Sequence, residues 1–289
     1  MSRPRSGPTV ALRLVAAELR ARREAAGFTL EAAAAALGVH DMTLSRLELA
    51  RTAPRRATVS HLLRLYGTPD AETETVLASL EEAQRPGWWH PYRDILPHHL
   101  AGVIDLESAA SLIRTYAPGV IPELLQTPGY ARALLKLRHP HAGAEEIGRR
   151  LQFLEERQRH TVCRTDRPVR LWALIEGVVL ERVIGDRDVM AEQLAHLDHF
   201  AAHRRAVTLQ VIPAAVGQHP LLLSGSADIL RYTHRQLADR LIVRGLHPEA
   251  ATVTENEGAV LAYLAAMDAT AALAPPPTKR IRTGKDSLT

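Results

Sequence analysis

Between Thr29 and Arg56 the chain carries a row of side chains suited to reading a polyanion. His40, Asp41, Met42, Thr43 and Arg46 lie on the outward side of a short helical stretch that begins near Asp41. Val39, Leu44 and Leu47 take the inward spacing. An aspartate in such a place repels phosphate yet can accept from a cytosine amino group, and a methionine can touch a thymine methyl. Arg51, Arg55 and Arg56 follow around Pro54, in a loop where guanidinium groups can clamp phosphates. The chemistry on offer is base-edge contact flanked by phosphate contact.

Several helices must position that row. Thr29 is placed to cap a helix starting near Leu30, with Glu31 in the first turn, where the helix dipole favours negative charge. The alanines from Ala32 to Ala36 are strong helix formers and small enough for close packing, and Gly38 supplies a left-handed stop. Two short apolar-faced helices broken by one glycine are the sequence form of a helix-turn-helix. A first helix is expected over Val10–Ala25, with Leu12, Val15 and Leu19 inward and Gly27 ending it. A fourth is expected near Thr58–Tyr66, on Val59, Leu62, Leu63 and Tyr66, and a fifth over Pro69–Ala83. Residues 1–66 hold eleven arginines against five acids, a balance of +6, which leaves −2 for the remainder of a chain whose net charge is +4. The positive charge sits where the motif sits, and such a field attracts a polyanion in a salt-dependent way.

The run LRARREAAGFTLEAAAAALGVHDMTLSRLE, from Leu19 to Glu48, resembles the Xre-type, phage-repressor-like helix-turn-helix. Thr29, Gly38, Val39, Ser45, Arg46 and Glu48 all fall at matching spacings. The resemblance implies that the third helix is the recognition helix and that the partner is double-stranded DNA. There are departures. Leu30 stands where the family usually has Gln, His40-Asp41-Met42 replaces the usual Ser-Gln-Ser, and Ala50 replaces the glycine that usually ends the motif. These leave open a module with an unusual target or a degenerate one.

The chain of 289 residues is long enough for two domains. Its one cysteine, Cys163, excludes an intramolecular disulfide framework and a cysteine-based zinc cluster within one chain. No apolar run is long enough to span a membrane, and the first nine residues lack the core of a signal peptide, so a cytoplasmic location is expected. Residues 1–9 read as a basic flexible arm and 10–84 as the DNA-binding domain. Residues 85–105 form a linker in which Trp88 and Trp89 are expected to dock into the second domain, because their area makes them costly to expose. Residues 106–273 form the second domain, and 274–289 a disordered basic tail.

That second domain reads as helices over Leu106–Tyr116, Thr127–Leu137, Ala144–Cys163, Asp186–His203 and Thr254–Leu273. Strand-like segments at 169–175, 207–213, 226–232 and 240–244 are expected to pair into a small antiparallel sheet. The overall class is therefore mainly α with a smaller α+β part: a five-helix N-terminal domain and a C-terminal helical domain with a small sheet. Ile121-Pro122-Glu123-Leu124-Leu125-Gln126-Thr127, followed by Tyr130-Ala131-Arg132-Ala133, is similar to the "VPGLLQT…YARA" signature of the C-terminal domain of actinobacterial WhiJ-like regulators. Further echoes include Arg157-Gln158, Gln193-Leu194 and Gln210-Val211-Ile212-Pro213. Two departures stand out: Glu123 replaces a glycine, and Leu241-Ile242-Val243-Arg244 replaces an acidic "VYVE" ending. The resemblance implies an antitoxin-like regulator with a small acidic partner protein.

Glu192, His196, His199 and His203 share one helix stripe and are the nearest approach to a zinc site. One straight helix rarely converges three ligands, so the stripe is read as a solvated face and no metal or other cofactor is expected. Cys163 and His160 are three residues apart, a weak nucleophile pair. Tyr116, Gln126, Tyr130, Arg132, Trp172 and Glu176 combine aromatic and polar groups of the kind that line a small-molecule effector pocket. The reading is a sequence-specific, non-enzymatic, homodimeric transcription regulator whose second domain binds a partner protein or small molecule. The alternatives are an enzyme or small-molecule binder with a degenerate helix-turn-helix, and an antitoxin-like binder of an acidic partner.

Overall fold

The computed structural model describes residues 9–96, 98–166, 168–233, 237–245 and 251–277; the expected basic arm before Thr9 and most of the expected tail lie outside them. Packing divides the chain into two units, with the boundary between Leu106 and Glu107.

The first unit holds α1 (Val10–Ala25), α2 (Leu30–Leu37), α3 (Asp41–Glu48), α4 (Arg56–Leu65) and α5 (Asp70–Ala83). Thr9 caps α1 by accepting from the Leu12 amide, and Thr29 caps α2 by accepting from the Ala32 amide. The first four helices all end the same way. The amide just after a left-handed residue reaches back to the carbonyl five residues earlier: Phe28 to Arg23, Val39 to Ala34, Arg51 to Arg46 and Thr68 to Leu63. This closure needs one left-handed residue. Gly27, Gly38 and Gly67 supply it at three of the ends, and Ala50, at φ 55°, supplies it after α3.

Leu19, Ala33, Leu44, Val59, Leu62 and Leu63 form the centre of this core. Val39 was expected there, but it is 36% exposed, because it precedes α3 in the turn rather than lying on the helix face. Trp89 is buried and belongs to the first unit rather than to the second domain expected to receive it. In the same unit the Asp105 carboxylate accepts from the Val10 amide at the start of α1.

After α6 (His98–Ala109) comes the main difference from expectation. The stretch expected to be one helix from Leu106 to Tyr116 ends its helix at Ala109 and continues as β1 (Leu112–Ala117). All but the first residue of β1 are buried, Arg114 and Thr115 included, so the two-residue alternation that marks a half-buried strand is absent. The second unit continues with α7 (Pro128–Arg138), α8 (Ala144–His160), β2 (Arg170–Glu176), α9 (Gly177–Glu181), α10 (Arg187–His203) and β3 (Val207–Ile212). Then come β4 (Ala227–Arg231), β5 (Arg240–Val243), β6 (Thr252–Thr254) and α11 (Glu257–Leu273).

The strands form one six-stranded sheet in the order β3-β2-β1-β4-β5-β6. β1 runs parallel to β2 and β2 to β3, while β4, β5 and β6 are antiparallel to their neighbours, so the sheet is mixed rather than antiparallel. The reason is connection length: α7 and α8 cross from β1 to β2, and α9 and α10 from β2 to β3, as parallel pairing requires. Tyr116, Leu174, Ile212, Ala227, Ile229 and Leu241 share one face, which α11 covers through Val260 and Met267. The fold is thus mainly helical with a smaller α+β part.

Candidate nucleic-acid interface

α3 is held from behind. Leu44 and Leu47 are buried on one side of it, and its last residue, Glu48, makes a bidentate pair with Arg23 of α1, with Nε–Oε1 at 2.7 Å and a second bond at 3.0 Å. The same Arg23 donates to the Phe28 carbonyl at 2.8 Å, tying in the turn before α2. Both carboxylate bonds hold the guanidinium in its charged form and raise its pKa further.

The opposite side of α3 is open. His40, Asp41, Met42, Thr43 and Arg46 are all exposed, Met42 by 62%. Asp41 turns its carboxylate back onto the Met42 amide at 2.7 Å, satisfying a free N–H at the helix start and reducing its reach towards an incoming base. Thr29 is exposed beside this face, with its hydroxyl engaged in the α2 cap.

The arginines divide into two groups. Arg22 pairs with Glu18 and Glu72, and Arg20 with Glu24. Arg56, expected at a phosphate, instead donates to Glu81 at 2.5 Å and Glu74 at 3.0 Å, both on α5. Arg46, Arg51 and Arg55 are exposed and make no ion pair among the described residues. They lie on α3 and in the loop that follows it. Unpaired cations there can approach phosphate without first breaking an internal bond.

In the second unit the six residues expected to line one pocket are only partly together: Tyr116 and Gln126 border one cavity, Glu176 bonds to Tyr116, and Tyr130, Arg132 and Trp172 do not line that cavity. Tyr116 donates to Glu176 at 2.8 Å, and His219 Nε2 lies 3.1 Å from the same oxygen. Burial and the neighbouring carboxylate push the Tyr116 hydroxyl far above its ordinary pKa. Gln126 and Tyr130 brace the segment after β1: Gln126 donates to the Ile121 carbonyl at 2.6 Å, and the Ile121 amide donates to the Tyr130 hydroxyl at 3.2 Å. Trp172 lies under the Arg114 guanidinium, 4.1 Å from ring centroid to carbon. Arg132 borders a separate groove with Leu137 and Val183.

A different constellation does converge. Arg157 of α8 makes a bidentate pair with Glu107, at 2.6 and 2.7 Å, and a third bond to Glu123 at 2.5 Å. Arg244 after β5 pairs with Asp228 of β4 through two nitrogens, at 2.8 and 2.6 Å. Arg138 of α7 adds a 3.1 Å bond to Glu123. The surrounding guanidinium groups outweigh burial and hold the Glu123 carboxyl well below the usual carboxylate range.

A helix-turn-helix domain model matches residues 14–76, and the family described as Domain of unknown function (DUF5753) matches residues 100–283. The chain belongs to the DUF5753 family. Comparisons with curated proteins and with solved structures gave no match.

In this DUF5753 chain the family match covers the converging ionic cluster, and the helix-turn-helix match covers Arg23, Arg46 and Glu48. No helix among the described residues is long and apolar enough to cross a membrane, and no group of three or more His, Cys, Asp or Glu among them is arranged to hold a metal ion. His196 packs edge-on against Phe200, and His199 stacks on His203. Burial pushes the Cys163 thiol up, away from thiolate reactivity. The sequence reading missed Glu107, Arg138, Arg157, Asp228 and Arg244 as a group. Their one local signal was ionic residues set within or beside apolar strand patterns, as at Asp228 and Arg244.

Proposed function

We propose that the chain is a sequence-specific, Xre-type transcription regulator that binds DNA as a homodimer in the cytoplasm, its C-terminal domain supplying the regulatory input. The observation that carries this reading is the sorting of arginines. Among the described residues Arg46, Arg51 and Arg55, on α3 and the loop after it, make no ion pair, whereas Arg20, Arg22, Arg23 and Arg56 are engaged within the protein. Arg46, Thr43, Met42 and His40 meet base edges, with Asp41 discouraging unsuited sequences, and Arg51 and Arg55 hold phosphates. Two copies on two half-sites give the specificity that one short helix lacks.

The test is selection of random duplexes by the purified full chain, then anisotropy titration of the enriched sequence against a scrambled one. Arg46→Ala is expected to erase the preference while leaving weak, salt-sensitive binding. Equal affinity of the unaltered protein for both duplexes refutes the reading.

A further inference from the structure

The ionic cluster of the second unit encloses a cavity of about 120 Å³. It lies along β1 from Ile113 to Ala117 and is bordered by the segment 120–126 that follows; β1 is the strand at which the sheet changes direction, with parallel β2 on one side and antiparallel β4 on the other. Resting on the reading that this domain supplies the regulatory input, we propose that the cavity binds a small zwitterion, an α-amino acid with a short aliphatic side chain.

Charge comes first. The walls carry three cations, Arg138, Arg157 and Arg244, and three anions, Glu107, Glu123 and Asp228. A ligand with net charge leaves one wall group uncompensated in a poorly hydrated place, whereas a molecule bearing both signs does not. Hydrogen-bonding capacity comes next. Glu107 is taken up by Arg157, and Asp228 by Arg244. Capacity remains at Arg138, which is 36% exposed and makes one bond, and on the outer nitrogen of Arg244, 3.6 Å from Glu123 and beyond hydrogen-bond distance. Glu123, 27% exposed, lies between them. Two guanidinium groups suit a carboxylate, and the intervening carboxylate suits an ammonium.

Size and the apolar walls complete the argument. A cavity of ~150 Å³ accommodates benzene, so this one suits about half a dozen heavy atoms. Ile113, Leu171 and Val120 offer a wall for a short aliphatic group. Six ionic groups drawn from α6, the turn after β1, α7, α8, β4 and the end of β5 are a poor means of stability, since well-packed apolar side chains do as well or better. Binding gives them a purpose.

The experiment is calorimetric titration of the full chain with glycine, L-alanine and L-valine, with acetate and methylammonium as single-charge controls. Saturable binding of at least one amino acid, at least tenfold tighter than either control, is expected. Arg138→Gln should weaken it about tenfold, and Ser226→Leu, which fills the lining without removing a charge, should abolish it while circular dichroism and the melting curve stay unaltered. Absence of saturable binding by all three amino acids, equal binding of acetate, or full affinity in Ser226→Leu overturns the site. Anisotropy on the selected duplex, with and without the amino acid, separates the two claims. Binding that leaves DNA affinity unchanged sustains the cavity and refutes its regulatory role; absence of amino-acid binding with specific DNA binding intact refutes the cavity and leaves the DNA-binding reading standing.

Discussion

Removing the charge of Glu48 should loosen α3, because Glu48 is the residue through which α3 is ion-paired to α1. The Glu48 side chain is 4% exposed and its partner Arg23 10%, so neither charge is rehydrated when the other is lost. At charge centres about 4 Å apart and an effective dielectric near ~20, the attraction amounts to about 4 kcal/mol. Breaking one side of a buried pair costs about 3–5 kcal/mol. Glu48→Gln keeps the shape and one acceptor oxygen and should fall at the lower end of that range. Arg23→Met also strands the Phe28 carbonyl, which adds about 1 kcal/mol.

Against a typical domain stability of about 5–15 kcal/mol, such a loss removes a large share of what keeps the first unit folded. The assay is hydrogen exchange of the α1 and α3 amides in the full chain, which reads opening of this unit apart from the sheet domain. Protection should drop by two to three orders of magnitude in either single variant, at roughly 1.4 kcal/mol per tenfold. The Arg23→Met, Glu48→Met double variant should recover most of it, because two apolar side chains of similar length leave no unpaired charge. A loss below about 1 kcal/mol in Glu48→Gln, or a double variant as unstable as the sum of the singles, refutes the argument.

Three further outcomes follow from the same geometry. Replacing Arg51 or Arg55 by Ala should lower the slope of log affinity against log salt by about 0.9 each, whereas Arg56→Ala, whose guanidinium is bound to Glu74 and Glu81, should leave the slope unchanged and cost at most about 1 kcal/mol of stability, as urea denaturation would show. Ala50→Gly relieves a left-handed residue but gives up a buried methyl, so its melting point should barely change, while Ala50→Val should lose more than about 2 kcal/mol, since a β-branched residue is strained at φ 55°. Burial depresses the pKa values of His139, His160 and His196, so the folded chain binds fewer protons than the unfolded one. Stability should therefore fall as pH drops below the unfolded value near ~6.5, and His196→Phe, beside Phe200, should flatten that acid limb in a pH series of melting curves.

The first unit was legible because its signals are local. Thr29 caps, alanines propagate and Gly38 stops within ten residues, and α1, α2 and α3 begin at the residues expected. The sheet was less legible because its order is set by distant partners. β2 to β5 show their apolar, β-branched runs, but nothing local says that β1 pairs parallel with a strand almost sixty residues later. β1 itself is buried on both faces and ends a helix-like stretch, so its period was hidden. The expected ligand residues converged only in part, Tyr116 and Gln126 bordering one cavity, for a related reason. Tyr116 and Trp172 share a face of the sheet, yet Arg132 is on the outer side of a crossover helix, and sequence spacing cannot distinguish those positions.

The two departures from the regulators this chain resembles meet in space. Glu123 and Arg244, the two places where the resemblance noted in the sequence breaks, approach to 3.6 Å. Either change alone is unfavourable. An arginine at 244 without Glu123 leaves the cluster with one cation in excess, and a glutamate at 123 opposite an acidic strand end sets like charges together in a half-buried place. Together, Glu123 and Arg244 complete the three-to-three balance around the cavity and give it a rim of mixed charge. A core needing only stability has no use for that mixture. A rim that selects what enters does, since exchanging a carboxylate for a guanidinium alters which end of a zwitterion is held first while leaving the walls beneath intact.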